Sequence, residues 1–90
     1  MYFAADRLTA ERALAELRNA RLGERAEALA SLQRVRNAVA SERTDDVPRL
    51  RAWVSIRILY DACRSTEEQD LKPLWQEAIA RTTAWHESLR

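Results

Sequence analysis

Glycine and proline are nearly missing from this chain, which has one glycine and two prolines in 90 residues. That leaves almost no turn chemistry for β-hairpins. It also excludes the glycine-rich loops that cradle phosphates or dinucleotides. Cys63 is the single cysteine, so no internal disulfide is possible, and a reducing compartment is expected. His86 is the single histidine, and no Glu-x-x-His pair precedes it, so no metal site and no cofactor are expected. No stretch of about twenty apolar residues exists to span a membrane. The opening Met1-Tyr2-Phe3-Ala4-Ala5-Asp6-Arg7 lacks the basic-then-apolar layout of a secretion leader, so a cytoplasmic location is expected. Lysine occurs once beside fourteen arginines; with abundant alanine, this composition fits a GC-rich bacterial or phage source.

No charge of one sign dominates either. Fifteen Lys and Arg face fourteen Asp and Glu, a net charge of +1. The middle is mildly basic and the last quarter mildly acidic. Nucleic acid held mainly through phosphate contacts needs a dense basic face, so that class ranks third.

What is abundant is helix-forming: Ala, Leu, Arg and Glu dominate. Four stretches carry apolar residues at three- and four-residue steps. In the first, Thr9 is placed to cap, Leu8 to staple against Ala13, and Ala10, Ala13, Leu14 and Leu17 form the stripe. Residues 2–8 are left open, as a continuation of this helix or a separate turn. Gly23 falls at the break and is expected to take a left-handed conformation after the helix. A second stripe, Ala28, Leu29, Leu32, Val35 and Val39, follows so closely that the two helices must form an antiparallel hairpin. Asp45 or Asp46 is expected to cap a third helix with Pro48 in its first turn. Val54, Ile56, Ile58 and Tyr60 alternate with polar residues as a strand would, but a lone strand has no partner elsewhere, so helix is preferred. Ser65 with Glu68, and Thr66 with Gln69, form overlapping capping boxes; Asp70 is a later cap that would put Pro73 in the opening turn. The last stripe is the cleanest: Leu71, Leu74, Trp75, Ala78, Ile79, Thr82, Trp85 and Leu89.

These signals predict one domain over residues 1–90, an all-α antiparallel four-helix bundle made of two helical hairpins. Helices are expected near 9–22, 24–42, 47–64 and 70–89. Gly23, Ala28, Leu32 and Val35 resemble the turn and second helix of a tetratricopeptide unit. The first-helix signature is absent, however, and nothing recurs at the required period of about 34 residues.

Candidate functional residues come from the third helix and from cations on apolar faces. At about 100° per residue, Trp53, Ile56, Tyr60 and Cys63 share one arc, and Val47, Val54 and Ile58 share another. Arg57, Asp61 and Arg64 lie between, near Leu50. They form either a solvated stripe on a helix touching two neighbours or a partly buried network that orients a partner. Trp53 beside them is the candidate anchor, because Trp and Arg are enriched at binding hot spots. The leading expectation is therefore a non-catalytic protein-interaction module (adaptor, chaperone, antitoxin-like or phage-encoded inhibitor) using Trp53, Arg57, Asp61 and Arg64. Its partner is another protein or a second copy in a homodimer. The alternative is an arginine-lined pocket for a small anion, built from Arg21, Arg36, Arg57 and His86, comparable in kind to helical chorismate mutases. Arg25 also falls on an apolar arc, where its stem can cover the core while the head reaches out. Cys63 and His86 would be a nucleophile and base if they met; a buried structural cysteine is the simpler expectation.

Overall fold

The computed structural model describes residues 4–21, 23–40, 46–65 and 68–89. Four helices follow one another: α1 (Ala4–Asn19), α2 (Arg25–Val39), α3 (Val47–Cys63) and α4 (Glu68–Ser88). No strand occurs among the described residues. Each helix packs on its neighbours in the chain and α1 also packs on α4, whereas the backbones of α1 and α3, and of α2 and α4, lie diagonally across the bundle and do not approach closely. The helices are thus the corners of a square, and the molecule measures 40 × 19 × 19 Å. The protein is an all-α four-helix bundle.

The core follows the predicted stripes in α1, α2 and α4, whereas in α3 Ala52 and Leu59 are buried and Trp53 and Tyr60 of the expected arc are only partly so. Ala10, Ala13, Leu14 and Leu17 are buried from α1, and Ala28, Leu32, Val35 and Val39 from α2. Ala52, Ile56, Leu59 and Cys63 come from α3, with Leu71, Ala78, Trp85 and Leu89 from the last segment. Leu29, Leu74, Trp75 and Ile79 pack against this core while partly exposed. Thr82 is fully buried, and its hydroxyl donates to the Ala78 carbonyl at 2.7 Å, so no polar group is left unpaired there.

The ends are closed by side chains that cross between helices. The last carbonyls of a helix have no partner within it. Leu17 O at the end of α1 accepts from Trp75 Nε1 of α4 at 2.6 Å. At the end of α2, Val39 O accepts from Arg49 Nε of α3 at 3.0 Å. Cys63 O at the end of α3 accepts from Arg25 of α2 at 2.7 Å. A cation at a helix C-terminus also complements the dipole. These contacts join the start of one helix to the end of the next, which fixes the antiparallel order.

Several local expectations are corrected. α1 begins at Ala4, so Thr9 lies within the helix and is no cap, and Leu8 is 45% exposed and staples nothing. In its first turn Asp6 meets Arg49 of α3 at 3.1 Å. α1 ends at Asn19, before the expected residue 22. Gly23 has no positive φ. The connection closes instead by the Glu24 amide donating to Arg21 O at 3.0 Å, a turn that asks nothing special of glycine. Glu24 is the N-cap of α2 without a side-chain bond. α3 starts as expected, with Asp46 accepting the Arg49 amide at 3.3 Å and Pro48 in the first turn, and it is helical throughout. α4 starts at Glu68, so Asp70 is not its cap and Pro73 lies inside the helix, past the opening turn. There the ring removes the donor for the Gln69 carbonyl. The capping boxes Ser65 with Glu68 and Thr66 with Gln69 rest on side chains outside the described ones, and residues 41–45 lie outside the described residues.

Candidate protein-docking face on the third helix

α3 buries Ala52, Ile56, Leu59 and Cys63 against α2 and α4. Its second apolar arc is not packed as the wheel suggested. Val47, Val54 and Ile58 are 47%, 41% and 49% exposed, on a helix whose two neighbours already occupy its inner side. Leu8 on α1 is the one other exposed large aliphatic side chain among the described residues. Steps of seven and four place Val47, Val54 and Ile58 along one line of the helix surface. Beside that line a shallow groove of about 540 Å³ opens between α3 and α4, lined by Leu50, Arg51, Val54, Ser55, Ile58, Glu77 and Arg81.

Arginines border the line. At about 100° per residue Arg51 stands about 60° to one side of Val54 and Arg57 about 60° to the other. Arg51, Arg57 and Arg64 are exposed. Among the described residues, no carboxylate stands within ion-pairing distance of any of them. The Arg57 guanidinium lies over the Trp53 ring, 5.6 Å from its centroid. Asp61 is exposed and unpaired with either flanking arginine, so the partly buried network is not formed and the stripe is solvated. Trp53 is no exposed anchor: it is half-buried against the core, and its Nε1 is covered without a hydrogen-bond partner.

The four residues of the anion-pocket expectation are spread over the bundle. Arg21, at the α1–α2 connection, pairs with Glu24 at 3.4 Å. Arg36 lies on the α2–α3 side, 5.4 Å from the Tyr60 ring centroid, with its Nε buried and unpartnered. Arg57 stays over Trp53 on α3. His86 is on the opposite side, where α4 meets α1, with Nε2 3.3 Å from Glu11 Oε1. A groove of about 560 Å³ surrounds His86, and its lining mixes Arg7 and Arg18 with Glu11 and Glu87. Glu11 also meets Arg7 at 3.6 Å, so the charges of that groove answer one another.

Cys63 lies at the end of α3 and His86 at the end of α4, and the antiparallel order puts these at opposite ends of the bundle. The thiol is fully buried, and desolvation raises its pKa above the ordinary thiol value of 9.0 despite the nearby Arg25 charge. It is therefore a protonated core residue. Among the described residues no group of three or more His, Cys, Asp or Glu is placed to hold a metal ion.

Sequence reasoning missed Arg49, which reaches three other helices. Its side chain is 13% exposed and pairs with Asp6 of α1 at 3.1 Å. It bonds Val39 O and Ala38 O of α2, at 3.0 and 3.5 Å, and lies 5.1 Å from the centroid of the Trp85 ring on α4. One guanidinium thus ties all four helices at one end. On the wheel Arg49 sits beside the Ile56 and Cys63 arc, a signal shared with Arg25 and Arg36.

Comparison of the chain with family models, with curated proteins and with solved structures finds no match.

Proposed function

We propose that this chain is a non-catalytic protein-interaction module whose docking surface is the outward face of α3. The observation that supports this reading is the aligned, uncovered set Val47, Val54 and Ile58. Exposed aliphatic residues scattered singly need no explanation, but a rimmed row of them marks an interaction site. A helix face of this kind receives another helix, with apolar anchors at seven- and four-residue steps. Adaptors, chaperones, antitoxin-like proteins and phage-encoded inhibitors all work in this way. A bacterial cytoplasmic setting accords with the arginine-rich, single-cysteine composition. No helix among the described residues is long and apolar enough to cross a membrane, so the exposed row is not part of a spanning segment.

The test uses charge to spoil the face without touching the core. Val54→Asp combined with Ile58→Asp is expected to abolish retention of a host protein that the wild type retains, while the melting temperature stays within a few degrees. Arg34→Ala on the α1–α2 side is expected to leave retention unchanged. A partner held equally by the wild type and the double variant would remove the reading.

A further inference from the structure

Resting on that docking face, we infer that its occupant is an acidic amphipathic helix of a different protein, with apolar residues on one side and carboxylates along both flanks. The inference follows from how the arginines of this chain are spent. Elsewhere on the surface several have acids of their own, although Arg12 and Arg18 of α1 have none among the described residues. Arg7 pairs with Glu11, Arg21 with Glu24 and Arg34 with Glu16. Around the α3 row, Arg51, Arg57 and Arg64 have none among the described residues. Acids present there are fewer or already engaged: Glu77 is held by Arg81 at 2.7 Å, and Asp46 accepts the Arg49 amide. Among the described residues of this face, Asp61 is left.

A row of Val and Ile bordered on both sides by guanidinium groups without an acid partner among the described residues complements a helix that is Leu- or Ile-rich along its centre and Asp- or Glu-rich along its edges. Arginine suits this role because its fork binds carboxylates through two parallel hydrogen bonds. Its weaker hydration also makes it the preferred cation at interfaces. A second copy of this chain is a poorer occupant. A two-fold contact brings a patch against itself, and here that would press together two copies of a face that carries Arg51, Arg57 and Arg64 against the one acid Asp61 and is net cationic among the described residues. Like charges across an interface oppose association and steer the pairing elsewhere.

The experiment selects peptides against the whole chain. A phage-displayed library of amphipathic helical peptides holds the apolar seam constant and lets the flanking positions vary among Asp, Glu, Lys, Arg, Ser and Gln. The expected winners carry Asp or Glu on both flanks. A selected peptide should bind about ten-fold more tightly than its lysine-flanked twin at low salt, and the difference should shrink as salt rises. Arg51→Glu with Arg57→Glu should reverse that preference. Winners with basic or uncharged flanks, or a preference unmoved by the two arginine changes, would overturn the inference. If acidic and basic twins bind equally and both are lost with Val54→Asp/Ile58→Asp, the docking face survives and the acidic partner does not. If binding ignores that double variant, or no peptide is enriched, both fall. Sedimentation showing a dimer that Val54→Asp/Ile58→Asp converts to monomer would name a second copy as occupant and also overturn the inference.

Discussion

The two long sides of this bundle treat the same residue type in opposite ways. On the α1–α2 side, Arg21 and Arg34 are matched to acids, as in the Arg34–Glu16 pair at 3.3 Å, while Arg12 of α1 has no acid partner among the described residues. On the outer side of α3, Arg51 and Arg57 have no acid partner among the described residues and stand beside exposed Val54 and Ile58. Exposed ion pairs contribute little to stability, so the matched side is not needed to hold the fold. What matching does is cancel the local field and leave a side with little attraction for a partner. The unmatched side keeps its field and adds apolar area. A surface can therefore be functional through what it leaves uncompensated. The ends of the bundle are a third regime, in which Arg49 and Arg25 are partly buried and spent on helix-terminal carbonyls.

The largest effect should come from that third regime. Arg49→Ala strands Asp6, two carbonyls at the end of α2 and the Trp85 face. Breaking a buried pair by removing one partner costs about 3–5 kcal/mol. For a domain of this size each kcal/mol moves the midpoint by roughly 4–8 °C, so thermal denaturation should shift by more than 10 °C. A small shift would mean that the fold does not depend on this clamp. Next comes the outer face of α3. Val54→Asp with Ile58→Asp should change stability by no more than about 0.5 kcal/mol per site in urea denaturation, because both side chains are near half exposed. A loss of several kcal/mol would show that these residues are covered in solution, and the contrast between the two sides would fail.

Most of the fold was legible because it rests on periodicity. The buried residues of α1, α2 and α4 are those spaced at three and four, and helix at Trp53–Tyr60 followed from the lack of any partner strand. Less legible were features that local signals do not decide. Thr9 is a sound cap by its own neighbours, yet the helix begins at Ala4 and its first turn meets Arg49, far along the chain, through Asp6. Gly23 is the obvious left-handed residue, yet the turn closes without one. The docking face was half legible. The wheel separates Val47, Val54 and Ile58 from the inner arc, but periodicity cannot say which of two apolar arcs finds a neighbour. Only the square arrangement, with α2 and α4 flanking α3 and nothing beyond, leaves that row uncovered. Trp53 was misjudged for the same reason, since a tryptophan beside charged residues looks exposed until the adjacent helix is in place.

Two smaller effects sharpen the comparison. Glu16→Gln on the matched side removes an exposed pair and should cost no more than about 1 kcal/mol; a larger cost would mean that this side is structural after all. Cys63 gives a readout at the closed end. Burial raises its pKa in the folded chain above the ordinary value of 9.0, so the folded state holds the thiol proton more firmly than the unfolded state does. The resulting contribution is fully present below that ordinary value and is lost as pH rises from it through the raised value. Stability measured from pH 8 upward should fall, and Cys63→Ala should flatten the decline even though it lowers stability at every pH by leaving a cavity. The slope, not the level, is the test. An unchanged slope in the variant would show that the thiol is reached by water, and that the end held by Arg25 opens while the chain remains folded.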